Sequence, residues 1–313
     1  MSVQLHDNPY FQTISCPSCG GENLERYFET PFSGLKAKPY LDYTALGVTA
    51  DTILRVDRCL ACGLVFVNPR IRPEFVSLIY NQCKATQAQK PALQEGTPEH
   101  RRDIWRRRSI YLGVLLKLIS LCGRQPPLRL LDYGAGFGHT LALAQTLGLE
   151  GYGLELDQAR LALCRRHGLA VWSPSEFEDR CAGLRADLVT IQSVLEHLVE
   201  LEEFFSGVES HCHQGTVIYV NGCTPGLIAR ERKQGQLVKA HFLEHLNYFP
   251  PACLDRFLAR FHLVPAAKVP LLVDNRRIWV HQRVLDKYRR LKGDPGFVER
   301  FYVYRGPAPG GAL

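Results

Sequence analysis

The segment Leu130–Thr140, LLDYGAGFGHT, decides the fold. A short apolar run ends at Asp132, glycines follow at every second position, and a helical pattern then begins. This order predicts a strand, a tight turn and a helix N-terminus, because glycine permits positive φ and lets the backbone approach a ligand closely. A dinucleotide-binding Gly-x-Gly-x-x-Gly would require glycine at His139. The three glycines of the turn are Gly134, Gly136 and Gly138.

The next segment supplies an acidic residue at a predicted strand end. Leu141–Leu147 continues the helix, Gly148 stops it, and Gly151–Glu155 reads as a second strand that ends in an acid. In nucleotide-binding α/β folds, an acid at this place accepts hydrogen bonds from ribose hydroxyls. Glu155 is therefore the candidate ribose ligand, with Asp157 as the N-cap of the following helix. The alternative is an ordinary βαβ unit with an incidental acid.

Composition is that of a soluble globular protein of one large and one smaller domain. The 313 residues are 46% hydrophobic and 22% charged, and the net charge of +7 permits an anionic substrate without requiring nucleic acid. No apolar run is long enough for a membrane span, and the N-terminus lacks the pattern of a signal peptide, so we expect a cytoplasmic protein. Eleven cysteines then favour thiols and metal ligation over disulfides.

Two Cys-x-x-Cys-Gly sequences predict a metal site near the N-terminus. Each pair turns both sulfurs toward one ion, and the following glycine allows the turn to close. Together they supply the four thiolates of a tetrahedral structural Zn²⁺ site, which leaves no coordination position for chemistry. The alternatives are buried free cysteines and a redox pair. The four predicted ligands are Cys16, Cys19, Cys59 and Cys62.

The remaining pattern divides the chain into four segments. Further predicted strands include Ala170–Trp172, Ala186–Gln192 and Thr216–Val220, and a hairpin-like pair, Val264–Val269 and Ile278–Val284, completes the sheet. An arginine-rich run at His100–Arg108 is either a solvated helix face or a phosphate-binding surface. The predicted segments are a zinc-binding domain (1–75), a helical lead-in (76–126), the main α/β domain (127–290) and a C-terminal tail (291–313).

Two histidines stand out in the sequence, and one of them is a candidate for acid–base chemistry. His245 is the best candidate general base, since imidazole titrates near neutrality and the adjacent Glu244 can orient it or raise its pKa. The alternative is a histidine satisfied by packing at a domain seam. His197 either lines the site or ends a helix, and the second interpretation is favoured.

These blocks resemble a known family. Asp-x-Gly-x-Gly-x-Gly at 132–138 is similar to motif I of the class I S-adenosylmethionine-dependent methyltransferases, and VLEHL at 194–198 is similar to a later signature. With the paired cysteines and EHLNYF at 244–249, the chain resembles the sugar C-methyltransferases that act on nucleotide-linked deoxysugars. Phe242 departs from that pattern, which has tyrosine there.

The resemblance implies a Rossmann-like α/β fold with a seven-stranded sheet and a small N-terminal zinc-ribbon-like domain. It also implies S-adenosylmethionine as cofactor and His245 as a base supported by Glu244, with Tyr80 lining the site. The acceptor implied is a small molecule that is methylated at carbon or at oxygen, and both kinds of acceptor atom stay open. An RNA methyltransferase and a non-catalytic scaffold are the alternatives. The cofactor contacts implied are Asp132, Gly134, Gly136, Gly138, Glu155, Glu176 and Gln192.

Overall fold

The computed structural model contains a seven-stranded β-sheet, here called the larger sheet, a five-stranded sheet, here called the smaller sheet, and a separate pair of short strands; helices pack on the larger sheet. The described residues are 3–35, 42–79, 97–235, 237, 240–266 and 296–307. In chain order the strands are β1 (Val3–Gln4), β2 (Phe11–Gln12), β3 (Leu24–Pro31), β4 (Thr52–Cys59), β5 (Val65–Val67), β6 (Arg70–Ile71), β7 (Arg129–Tyr133), β8 (Glu150–Leu154), β9 (Val171–Trp172), β10 (Ala186–Ile191), β11 (Cys212–Cys223), β12 (Asn247–Tyr248), β13 (Leu263–Pro265) and β14 (Phe297–Tyr304). The α-helices are α1 (Val76–Leu78), α2 (Pro98–Cys122), α3 (His139–Thr146), α4 (Gln158–Arg166), α5 (Pro174–Arg180), α6 (Leu201–Ser210), α7 (Pro225–Lys233) and α8 (Pro251–Ala259).

The larger sheet has seven strands in the order β13-β14-β11-β10-β7-β8-β9. The five strands β11, β10, β7, β8 and β9 are neighbours in this order and pair in parallel. Strand β14 runs antiparallel to both of its neighbours, β11 and β13. The strand order reverses between β7 and β10, and ligands of open α/β sheets bind at the carboxyl edge of such a switch point. The predicted α/β fold class with a seven-stranded sheet is confirmed.

Burial explains why these segments form central strands. All six residues of β10 are buried, as expected for a strand covered on both faces. On one side, α2 and α3 pack through Leu115, Leu118 and Leu141. The long α2 carries the arginine-rich run on its exposed first turns.

The smaller sheet contains a strand from late in the chain. Its strands run in the order β1-β4-β5-β12, and β3 pairs with β4. Asn247 and Tyr248 pair antiparallel with Phe66 and Val65, so the segment that carries His245 is built into the N-terminal sheet. The EHLNYF segment therefore links the two sheets.

A buried arginine fixes the two sheets to each other. The Arg70 guanidinium is 1% exposed and donates to the Leu246 carbonyl at 3.1 Å and to Asn247 Oδ1 at 2.7 Å. Asn247 Nδ2 in turn donates to the carbonyls of Leu195 and Leu198 at 3.1 and 2.7 Å. The loop after β10 is thus held against the segment before β12.

The last strand of the larger sheet differs from the predicted one. Predicted strand Ile278–Val284 lies outside the described residues, whereas Phe297–Tyr304, inside the predicted tail 291–313, pairs with β11 and β13. Val298, Tyr302 and Tyr304 are buried in it. Glu299 and Arg300 interrupt the apolar alternation and hide the strand from a pattern search.

Among the helices of the described residues, none is both long and apolar enough to cross a bilayer.

Candidate active site

The glycine turn after β7 lies at the carboxyl edge of the larger sheet. Gly134, Gly136 and Gly138 have φ of +69°, +58° and +70°, so all three occupy the left-handed region that disfavours other residues. A Cβ at Gly134 would lie 2.5 Å from a methyl carbon of Val194, in the loop after β10. The turn therefore needs glycine both for its backbone shape and for its packing.

Glu155 clamps this turn, at the place where the sequence predicts a ribose ligand. Its carboxylate is 4% exposed and accepts from the Gly136 N–H at 2.7 Å and from the Asp157 N–H at 2.9 Å. Asp157 accepts from the N–H groups of Ala159 and Arg160, which confirms it as the N-cap of α4. Each oxygen of Glu155 keeps a second lone pair for a ligand hydroxyl.

Beneath the turn, Asp132 is a structural carboxyl. It is 2% exposed, and Thr190 Oγ1 donates to its Oδ1 at 2.6 Å. Burial raises the pKa of Asp132 to about 7. Its side chain therefore supports the turn from below, and its direct contact with a cofactor stays a prediction.

Gln192 offers an acceptor at the same edge. Its Nε2 donates to Thr140 Oγ1 at 3.0 Å, while its buried Oε1 has no hydrogen-bond partner among the described residues. A buried amide oxygen without a donor is costly, so a bound ligand with an N–H or O–H group fits this position. The glycine turn, the Glu155 carboxylate and the Gln192 amide oxygen, which has no donor within the part of the chain described, together suit an adenosyl cofactor.

Glu176 has a clear local role on α5. Its Oε2 accepts from the Ser173 N–H at 2.9 Å and from Ser173 Oγ at 2.7 Å, and Arg165 forms an ion pair with it. These hydrogen bonds, the backbone one first, lower the pKa of Glu176 to about 2. The capping box explains this residue without a cofactor, and its predicted cofactor contact stays untested.

Glu244 accepts a hydrogen bond from a tyrosine that no sequence motif identifies. Tyr43 Oη donates to Glu244 Oε1 at 2.7 Å, and both residues are buried. The Tyr43 ring also lies against His241, with centroids 5.6 Å apart. Tyr80, predicted to line the site, lies outside the described residues. No motif surrounds Tyr43, so only the tertiary structure reveals its place.

His245 belongs to a compact group of four side chains, here called the histidine cluster. The His197 ring stands edge-on to it, with centroids 4.7 Å apart and planes at 78°. Cys223 Sγ lies 3.7 Å from His245 Nδ1 and 3.7 Å from Glu196 Oε1. The cluster consists of Glu196, His197, Cys223 and His245.

The topology explains how the cluster forms. Glu196 and His197 lie in a 3₁₀ turn after β10, and Cys223 ends β11, so these residues meet at the carboxyl edge. His197 ends that short turn, as favoured, and it also contacts His245. Glu196 is 2% exposed, and burial raises its pKa to about 7. Glu196 and His197 are adjacent in the VLEHL motif. This motif is the sequence signal for the cluster, although the sequence interpretation favours a helix-end role for His197.

The four predicted zinc ligands come together at the end of β4, beside the smaller sheet. Sγ atoms of Cys16 and Cys62 are 3.5 Å apart, those of Cys19 and Cys59 are 3.6 Å apart, and all four lie within 4.8 Å of one another. Zn–S bonds of about 2.3 Å in a tetrahedron separate sulfurs by about 3.8 Å. The four sulfurs therefore fit one zinc ion.

The cysteine cluster also packs against the larger domain. Arg256 and Arg260, near the end of α8, donate to the carbonyls of Cys62 and Ser18, each at 2.8 Å. Cys253 Sγ lies 3.9 Å from Ser18 Oγ. This contact is consistent with a stabilising role for the cluster.

Comparison with known proteins identifies the family. The family described as "Methyltransferase domain" matches residues 104–265, more than half of the chain. The chain belongs to this methyltransferase family. The match spans the glycine turn, Glu155 and the whole histidine cluster. Among curated proteins, none matches the chain.

Several solved structures are similar to this chain at low identity. An S-adenosylmethionine-dependent methyltransferase from Archaeoglobus fulgidus is 18% identical over 63% of this chain and 94% of its own, with a TM-score of 0.42. The PH0226 protein from Pyrococcus horikoshii is 14% identical over 70% and 98%, with a TM-score of 0.47. The plantazolicin methyltransferase BamL, solved with S-adenosylhomocysteine, is 11% identical over 73% and 94%, with a TM-score of 0.48.

Proposed function

We propose that this methyltransferase transfers a methyl group from S-adenosylmethionine to a small-molecule acceptor, a nucleotide-linked sugar being the favoured class. The observation that carries the proposal is the shared location of the glycine turn and the histidine cluster. Val194 contacts the turn, and Glu196 and His197 follow it directly in the chain. A cofactor seat and an acid–base group are thereby brought to one sheet edge.

The residues around the turn would hold the cofactor. The backbone at Gly134 and Gly136 allows close approach of the methionine part, and Glu155 would accept from the ribose. Gln192 Oε1 would receive a donor from the ligand. When bound, the sulfonium of S-adenosylmethionine supplies an activated methyl group.

His245 would act as the general base. The half-buried imidazole can accept the proton from an acceptor hydroxyl, or from a carbon beside a keto group, as the methyl group is transferred. Glu244 precedes it in the chain and is fixed by Tyr43, so this carboxylate would border the acceptor. Carbon and oxygen acceptors both suit such a base.

The four-cysteine cluster would hold a structural Zn²⁺. Four thiolates fill a tetrahedral ion completely, so the ion would stabilise the smaller sheet rather than take part in methyl transfer. Because β12 belongs to that sheet, the zinc would also support the position of His245.

A calorimetric and turnover comparison tests the base. We expect His245→Ala to abolish methyl transfer and to leave the affinity for S-adenosylmethionine within about twofold, because general base catalysis contributes about 10²–10⁴-fold to rate. His213→Ala is the matched control, since His213 begins β11 at the opposite sheet edge. Labelled methyl transfer is measured with nucleotide-linked ketosugars and with RNA. Lost cofactor binding in His245→Ala, or transfer to RNA alone, would contradict the proposal.

A further inference from the structure

The histidine cluster contains the donor atoms of a metal site. One ligand atom each from Glu196, His197 and His245 lies within 4.8 Å of the other two. Cys223 adds a sulfur at 3.7 Å from both Glu196 Oε1 and His245 Nδ1. Carboxylate, imidazole and thiolate are all ligands of zinc.

The donor set matches a known class of zinc site. Two imidazoles and one carboxylate hold zinc in sites that leave a fourth position open. The three ligand atoms of Glu196, His197 and His245 lie within 4.8 Å of one another, so binding one ion requires only a modest approach of these side chains. Cys223 Sγ lies beside them and donates to Glu196 Oε1 at 3.7 Å.

The Glu196 carboxylate has one buried oxygen that accepts no hydrogen bond from the described part of the chain. Its Oε2 is buried and has no hydrogen-bond partner among the described residues, although the side chain is only 2% exposed. A buried carboxyl oxygen without a partner is costly, and a cation would remove that cost.

The scaffold around the cluster is fixed. The Leu246 N–H donates to the Glu196 carbonyl at 2.5 Å, and the Asn247 amide holds the carbonyls of Leu195 and Leu198. These bonds join the 3₁₀ turn to the backbone beside His245. A preformed site of this kind needs little rearrangement to bind an ion.

We propose that Glu196, His197 and His245 form a second site for a zinc-type divalent ion, distinct from the four-cysteine site. Imidazole ligands select zinc over magnesium or calcium, which prefer oxygen ligands. The ion reaches the site through the half-buried faces of His197 and His245.

Occupancy has a consequence that rests on the proposed function. An imidazole nitrogen bound to zinc has no lone pair for a proton, so a filled second site disables His245 as base. Zinc is therefore expected to inhibit methyl transfer reversibly, and a chelator that removes only the second ion is expected to restore it.

The test measures metal content of the full chain independently of activity. After equilibration with zinc, we expect two zinc ions per chain, of which a mild chelator removes one. His197→Ala is expected to weaken the second site at least about 100-fold, because loss of even an outer-shell partner costs about 10–100-fold. His213→Ala should keep both ions. Cobalt loaded into the second site should show a visible absorption band that His197→Ala abolishes.

The outcomes separate this proposal from the proposed function. A single zinc per chain in the wild-type protein, or two in every variant, would overturn the second site. Two ions with unchanged transfer would overturn the inhibition. Absence of both cofactor binding and transfer in chelator-treated protein would refute the proposed function, whatever the metal content.

Discussion

The four-cysteine cluster and the histidine cluster contain similar metal-binding side chains but are assembled differently. The first joins two short Cys-x-x-Cys turns beside the smaller sheet. The second brings together the loop after β10, the end of β11 and the segment before β12. Local turns therefore form the four-cysteine cluster, whereas the packing of the two sheets against each other forms the histidine cluster.

The largest expected effect breaks the cysteine cluster. Cys59→Ser should abolish zinc retention and lower the free energy of unfolding by about 5 kcal/mol or more, since structural zinc contributes about 10–16 kcal/mol in small zinc domains. Urea denaturation and metal analysis measure both quantities. Cys122→Ser, outside the cluster, is the control. Equal stability of the two variants would show that this region does not depend on a metal.

The next largest effect is expected from loss of the Arg70 contacts between the two sheets. Arg70→Met removes the guanidinium that donates to the Leu246 carbonyl and to Asn247 Oδ1. We expect a loss of about 2–6 kcal/mol in the free energy of unfolding, because two buried acceptors each lose a donor at about 1–3 kcal/mol. Turnover should also fall, since the histidine cluster spans this seam. Arg58→Met, which removes an exposed ion pair with Glu25, should cost less than about 1 kcal/mol. Comparable losses in both variants would contradict the role of the seam.

A pH effect is expected beneath the glycine turn. The folded-state pKa of Asp132 is raised from 3.8 to about 7 by burial, so between these values the folded protein retains a proton that the unfolded chain loses. Stability from this group is therefore fully present below pH 3.8 and falls as pH rises toward 7, by at most about 4 kcal/mol. Urea denaturation across this range should show a smaller slope for Asp132→Asn. An unchanged slope, matching that of the exposed Asp51→Asn control, would contradict the buried carboxyl.

The smallest effect concerns Glu244. Tyr43→Phe removes the hydroxyl that donates to Glu244 Oε1 and should lower the free energy of unfolding by about 1 kcal/mol, because one buried hydrogen bond is lost. The value of kcat/KM should fall while zinc content is unchanged. Tyr10→Phe is the control, since the half-buried Tyr10 ring packs on Phe75 outside this contact. A fall in kcat/KM with Tyr10→Phe alone would contradict this part of the site.

Local features could be predicted from the sequence. The positive-φ turn follows from three alternating glycines, the N-cap from Asp157, and the convergence of the four cysteines from their spacing. Glu155 was expected at a strand end and lies there, bound to the turn. Each of these patterns is contained in a few neighbouring residues, whose backbone preferences decide the outcome.

Features that depend on distant residues could not be predicted. Charged residues within β14 interrupt its apolar alternation, so the sequence pattern places this segment in a tail. Strand β12 pairs with a sheet formed by the first 75 residues. Tyr43 is 201 positions from Glu244. The Glu196 and His197 pair was visible in VLEHL, but its neighbours became known only through the fold.

The most direct test of the cofactor seat compares two glycines with the same backbone shape. Gly134 and Gly148 have φ of +69° and +70°, but an added Cβ meets Val194 only at Gly134 and open space at Gly148. Isothermal titration with S-adenosylmethionine should show a loss of at least about tenfold in affinity for Gly134→Ala and none for Gly148→Ala, both being strained by about 1–2 kcal/mol. Equal affinities in the two variants, or no binding by the wild-type protein, would contradict the seat at the turn after β7.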